Sequence, residues 1–282
     1  PLFIPIIISN MAAGNVALRY EAKGICTSVV TACAGATHSI GEAFRAIKHG
    51  YADIMLAGGT EASITRASVA GFNALTALSQ SSDPARGSIP FDKDRNGFVI
   101  GEGSGILVIE SLEHAKARGA NILAEIVGYG ANCDAYHMTA PSPDGSGAAK
   151  CMTLALKEAG IAPQDINYIN AHGTSTPLND AAESAAIKKA FGDHAKNLLV
   201  SSTKSQIGHL LGAAGGVEAI ATIIAINEGF APPTMGYQNP DEDCDLNYVP
   251  NAAIDIDIKY ALSNNFGFGG HNAALAFKKW EE

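Results

Sequence analysis

Five cysteines are scattered through this 282-residue sequence, and one sits where a nucleophile could work. Cys33 lies in VVTACAGATHSIGEAF, between an apolar run and the start of a helical pattern. Small residues flank it, so the backbone can turn sharply and a substrate can approach. A thiol at a helix N-terminus feels the positive end of the peptide dipole, which favours thiolate. The same residue also fits as a small buried hydrophobe, and the local pattern leaves both readings open. His172, in YINAHGTSTPLND, follows a strand-like run into a loop of Gly, Ser and Thr. An imidazole at a strand's C-terminal end suits proton or oxyanion work, and equally a structural hydrogen bond. His209, in SSTKSQIGHLLGAAGG, has glycines on both sides, and Lys204 lies five residues earlier. Glu218, on the next helical stretch, could pair with that lysine. Finally, NNFGFGGHN sets three glycines around Phe266 and Phe268. Such a loop offers bare backbone N–H groups, as an oxyanion hole requires, or simply a tight turn.

The elements that must position these groups alternate between strand and helix. Residues 34–49 put Ile40, Ala43, Phe44 and Ile47 on one helical face, with Gly50 as a stop. ADIMLAGG and GSGILVIES read as strands. Residues 146–159 repeat a helical face through Met152, Ala155, Leu156 and Ala159, closed by Gly160. INYINAHG and NLLVSSTKS read as strands, and Asp180 with Glu183 resembles a capping box for a helix ending near Phe191. The stretch 212–228 is an Ala-rich helix, apolar enough to be buried between sheets. KYALSNNF and HNAALAFKKW form a final strand pair. This alternation predicts a mostly parallel sheet with helices on both faces, an α/β layered architecture. The charged stretch near 111–125 divides the chain into halves 1–118 and 119–282. Long loops at 79–98 and 229–253 are expected to line a site or a subunit contact.

Composition narrows the function classes. The formal net charge of −9 argues against a nucleic-acid partner. The odd cysteine count, without a CxxC pair, argues against a disulfide framework or a zinc site, and makes a reducing cytoplasm the default. No segment reads as long and apolar enough to cross a membrane. The opening PLFIPIIISNM has no cap, linker or initiating Met, so it reads as the middle of a fold and the chain as a fragment.

Taken together, five segments resemble the diagnostic motifs of the β-ketoacyl-acyl-carrier-protein synthases. They are VVTACAGATHSIGEAFRAIKHGYADIMLAGGTEA, PFDKDRNGFVIGEGSGILVIE, NAHGTSTPLNDAAE, SSTKSQIGHLLGAAGGVEA and SNNFGFGGHNAAL, in family order. The likeness spans essentially the whole chain and is strongest to the elongating type II branch. It implies the thiolase-like αβαβα fold of two similar halves, the first half here incomplete, and a homodimer without cofactor or catalytic metal. It further implies a decarboxylative Claisen condensation with acyl- and malonyl-loaded acyl carrier protein. Cys33 then carries the acyl chain. His172 and His209 hydrogen-bond the malonyl thioester oxygen, Lys204 shapes the electrostatics, and Asp180 and Glu218 support Lys204. The N–H groups of Cys33 and Phe268 form the oxyanion hole, and Phe268 also gates the site. Thr174, Thr176, Phe266, Gly267 and Gly269 are the implied substrate contacts.

His209 separates this pattern from the initiating synthases, which carry Asn there, and the final loop lacks the second cysteine of the degradative thiolases. A polyketide ketosynthase and a non-catalytic chain-length-factor-like partner are the alternatives. His271 stands where the family often has a small polar residue, and would alter the gate or merely face solvent. A structural monovalent cation would use Asn170, Glu218, Ser263 and Asn264. Arg45, Lys48 and Arg66 are candidates for docking the acidic carrier protein.

Overall fold

In the computed structural model, residues 1–281 are described, and their strands form one large mixed sheet and two strand pairs. Two short helices open the chain, α1 (Phe3–Ile7) and α2 (Met11–Tyr20). Then come α3 (Gly35–Lys48), β1 (Ile54–Glu61), α4 (Arg66–Ala74), β2 (Gly103–Glu110), α5 (Leu112–Ala117) and β3 (Ala124–Cys133). The rest runs α6 (Ser146–Ala159), β4 (Tyr168–Asn170), α7 (Pro177–Phe191), β5 (Leu199–Ser201), the single turn α8 (Lys204–Ile207) and α9 (Ala214–Glu228). It closes with β6 (Phe230–Ala231), β7 (Ile254–Asp255), β8 (Tyr260–Gly267) and β9 (His271–Lys279).

The central sheet has the order β3-β9-β8-β4-β5. β4 runs parallel to both β5 and β8, whereas β9 is antiparallel to β8 and β3. This corrects the expectation of a mostly parallel sheet. The tight GFGG turn forces β8 and β9 into a hairpin, and β1 pairs antiparallel with β2. The sheet is buried on both faces. On one side Met152, Leu156, Ile169, Ile187 and Leu262 pack with α6 and α7. On the other, Ile40, Tyr168, Ile223, Ile226, Leu275 and Phe277 pack with α3 and α9. Alternation along β9 shows why, since Ala274 and Ala276 join the first cluster and Ala273, Leu275 and Phe277 the second. The β1–β2 pair covers the far side of α3 and α9, giving the layers α6/α7, sheet, α3/α9, β1–β2. Ile54, Leu56, Ile106 and Val108 of that pair are exposed, as are most of α1's apolar side chains.

Two further expectations are corrected. Asp180 does not cap its helix, because α7 begins at Pro177 with Thr176 at the N-cap; proline at the first helical position already has the required φ and no N–H to satisfy. Leu211–Glu228 is long and apolar enough to cross a membrane by length and composition, yet more than half of it is buried inside the fold, Glu218 included.

Candidate active site

Cys33 lies in the 3-10 turn Ala32–Ala34 that runs directly into α3. Ala32 is left-handed at φ 49°, a conformation that strains a residue with a Cβ by about 1 kcal/mol. This kink turns the following thiol toward a cavity of about 380 Å³, which Cys33, His172 and His209 all line. Cys33 is 9% exposed. Burial pushes its pKa up to about 11, against the lowering influence of Lys204 and of the N–H groups of Cys33 and Phe268, which address the sulfur. Burial thus disfavours the thiolate, against the tendency that a helix N-terminus gives a thiol.

His172 follows β4 and His209 follows α8. Their rings stand 5.4 Å apart, nearly perpendicular. Each is buried, and burial together with the nearby Lys204 charge holds both imidazoles well below the usual histidine range. They are neutral at pH 7. Their tautomers follow from their partners. Leu211 N–H donates to His209 Nδ1 at 3.2 Å, and the Asn265 amide Nδ2 donates to His172 Nδ1 at 3.4 Å. With Nδ1 accepting, the proton sits on Nε2 in both rings.

Lys204 is not a cavity wall. It is 1% exposed, its Nζ donating to His172 O at 2.6 Å and pairing with Glu218 Oε1. Glu218 Oε2 accepts from Asn265 Nδ2 at 2.7 Å. Asp180 does not reach this pair; it accepts Phe91 N–H at 2.8 Å and lies 3.7 Å from Arg95. It braces the 79–98 loop instead. The acid that does support His172 is Glu183, which accepts the N–H groups of His172 at 2.9 Å and Gly173 at 2.8 Å. Sequence reading assigned Glu183 only to a capping box. Its spacing one turn beyond Asp180 was the available signal.

Thr174, Thr176, Phe266, Gly267 and Phe268 line the same cavity, and the two threonine hydroxyls are 2.9 Å apart. Phe268 is 36% exposed at the hairpin tip. A side chain at Gly267 would press on Thr31 O at 2.7 Å and Cys33 N at 3.1 Å, so the turn can lie against Cys33 only as glycine. Gly269 is not a lining residue, but its N–H donates to Met138 O at 2.8 Å, and Asp134 N–H donates to Gly270 O at 2.9 Å. The 134–145 segment thus backs the turn and supplies Asp134, Thr139 and Ser142 to the cavity wall, a contribution the sequence reading missed. Of the two long loops, 79–98 supplies Asn96, Gly97 and Phe98, whereas 229–253 lines no part of the cavity and packs on the first through Asp92. His271 is half-buried, its ring 6.5 Å from that of His38.

The side chains suggested for a cation do not converge. Asn170 and Ser263 pair across β4 and β8 with unpartnered polar atoms, but Asn264 points to the opposite sheet face, toward Met152, and Glu218 is already engaged. Arg45 and Lys48 both pair with Glu158, which offsets their charge, and Arg45 stacks over Tyr129.

A buried thiol, two neutral Nε2–H donors and a pair of backbone amides around one cavity define a condensing enzyme of the acyl-thioester type. Comparison with known proteins agrees. The model of the beta-ketoacyl synthase N-terminal domain matches residues 1–115, and that of the C-terminal domain residues 123–238. A 3-oxoacyl-[acyl-carrier-protein] synthase 2 of Synechocystis sp. is 56% identical over the whole chain, which spans 68% of that relative's length. One from Staphylococcus aureus is also 56% identical, with the same coverage. Among solved structures, a type II polyketide ketosynthase in complex with its acyl-carrier protein aligns with TM-score 0.95 and 43% identity, over 96% of this chain and 67% of that one. A beta-ketoacyl synthase from Burkholderia phymatum aligns with TM-score 0.92 and 43% identity, over 96% of this chain and 66% of that one. The chain belongs to the beta-ketoacyl synthase family, and its fold is that of the ketosynthases.

Proposed function

We propose that this chain carries the site for decarboxylative condensation of an acyl thioester with malonyl-acyl carrier protein, as used in fatty acid elongation. The observation that carries this reading is the meeting of Cys33, His172 and His209 in one cavity, with both histidines fixed as neutral Nε2–H donors.

In the first half-reaction the Cys33 sulfur attacks the acyl thioester carbonyl. The oxyanion faces the N–H groups of Cys33 and Phe268, and the carrier thiolate leaves, taking the thiol proton. In the second, the malonyl thioester loses CO2 and the electron pair moves to the thioester oxygen. The two Nε2–H groups stabilise that enolate without giving up a full proton, which suits imidazoles whose cationic form is disfavoured. The enolate carbon then attacks the acyl carbonyl on Cys33. Collapse breaks the C–S bond, the cysteine leaves as thiolate and takes a proton from solvent, and a 3-oxoacyl product remains on the carrier. Neither half of the chain suffices in this reading, since the nucleophile lies in 1–118 and both histidines in 119–282. Cys33 disfavours a chain-length-factor role. The 56% identity to 3-oxoacyl-[acyl-carrier-protein] synthases, against 43% to a type II polyketide ketosynthase, favours the elongation reading.

The partner is an acyl carrier protein, the protein held by one structural neighbour's ketosynthase. The test is direct: acyl-carrier protein should add one acyl mass to Cys33, and malonyl-carrier protein should release CO2. Cys33→Ala should abolish the first. His172→Ala or His209→Ala should lower CO2 release by about 100-fold. No acylation and no CO2 from the wild-type chain would end this reading.

A further inference from the structure

The two active-site histidines owe their tautomers to different kinds of partner. His209 is fixed by a backbone N–H, which no side-chain substitution removes. His172 is fixed by the side chain of Asn265, on β8. Asn265 is fully buried, and each of its polar groups is engaged. The orientation of its amide is determined by chemistry. Glu218 Oε2, 2.7 Å away, can only accept, so the Nδ2 end faces it. The second Nδ2 hydrogen is then directed at His172 Nδ1, 3.4 Å away. The Oδ1 end accepts the hydroxyl of Thr37 at 2.5 Å, and Thr37 is also fully buried, in the first turn of α3 just after the Cys33 turn. Helix α9 makes room for this contact. A Cβ at Gly215 would collide with Thr37 Oγ1 and would stand 2.7 Å from Asn265 Oδ1.

We propose that Asn265 is a positioning residue for the decarboxylation half-reaction, holding His172 as the Nε2–H tautomer and tying that ring through Thr37 to the helix of the nucleophile. The proposal rests on the reading of His172 as a donor to the malonyl thioester. An imidazole with its proton on Nδ1 would present a lone pair to the cavity and could not stabilise the enolate. In a buried site water does not readily replace a lost donor, so the amide's geometry is what selects the tautomer. A flipped amide would set its carbonyl against Glu218, so that carboxylate selects which end faces it, and the Thr37 hydroxyl holds the Oδ1 end in place. Acylation of Cys33 makes no use of His172 Nε2–H, so the two half-reactions respond differently to changes at position 265.

The experiment compares the wild-type chain with Asn265→Ala and with the near-isosteric Thr37→Val. Three quantities are read: the protonated nitrogen of His172 by ¹⁵N-histidine NMR, CO2 release from malonyl-acyl carrier protein, and mass gain on Cys33 from acyl-carrier protein. In the wild type the His172 proton is expected on Nε2. In Asn265→Ala an Nδ1–H signal should appear, with CO2 release lowered about 10- to 100-fold and acylation within about threefold. Thr37→Val should move the same quantities in the same direction by a smaller amount. A His172 that stays fully Nε2–H in both variants overturns the proposal, as does an equal fall of decarboxylation and acylation. If the wild-type chain neither acylates Cys33 nor releases CO2, the underlying reading fails instead, and the NMR arm still decides the tautomer.

Discussion

At the scale of single residues, protonation states decide what the site can do. Because burial holds the Cys33 thiol at about 11, its thiolate fraction should rise tenfold per pH unit across the neutral range. The rate of iodoacetamide alkylation of Cys33 should therefore climb from pH 7 to about pH 10 without levelling. A plateau near pH 8 would mean that the dipole and Lys204 prevail after all. Glu183 gives a second test. Burial raises its carboxyl from 4.5 to about 7, against the N–H groups of Gly173 and His172. The fold thus favours the protonated form, and this group's contribution to stability is complete below about pH 4.5 and lost as pH rises through about 7. Glu183→Gln should remove that component from the melting-temperature profile. It should also lower stability by about 1–3 kcal/mol, since an amide cannot accept both N–H groups. An unchanged pH profile in the variant would refute the assignment.

At the scale of elements, the strands and helices that carry site residues were legible in the sequence. The periodicity over 34–49 and 146–159 matches α3 and α6 closely, and Gly160 is a left-handed cap as its position suggested. Strand direction was not legible, because a short apolar run such as HNAALAF reads alike in a parallel or an antiparallel ladder. The Asp180–Glu183 pair shows the same limit. Its spacing fits a capping box, but tertiary partners claim both carboxylates, Asp180 for the 79–98 loop and Glu183 for the His172 backbone. Asn265 was invisible for a related reason, as nothing local in SNNF shows which asparagine meets a histidine 93 positions earlier. The 79–98 loop offers its own test. Arg95 joins Asp180, Asp241 and the carbonyls of Thr176 and Pro177, so it fastens that loop to the start of α7 and to the 229–253 segment. Arg95→Ala leaves Asp180 buried beside no cation and should cost about 3–5 kcal/mol in urea unfolding. A loss below about 1 kcal/mol would show the network to be ornamental.

At the scale of the whole molecule, two surfaces differ in kind. Helices α6 and α7 cover one face of the central sheet, whereas the outer face of β1–β2 exposes Ile54, Leu56, Ile106 and Val108. Apolar areas of this sort drive association in water. The isolated chain should therefore enhance the fluorescence of an apolar dye and sediment in a concentration-dependent manner, and Leu56→Glu with Val108→Lys should suppress both. Monomeric sedimentation at all concentrations would contradict this. The wiring of the site has another consequence, which concerns time. Thr37 and Asn265, which bond across the centre of the molecule, are 228 residues apart in the chain. At ordinary rates of protein synthesis the first waits roughly 10–45 s for the second to be made. Throughout that interval the sheet lacks its middle strand, because β8 lies between β4 and β9 and is translated after β4. The Cys33 thiol is thus finished long before the pocket that shields it. A nascent chain carries Cys33 accessible to oxidants and electrophiles until the β8–β9 hairpin is made, and that hairpin closes the fold and completes the site in one event.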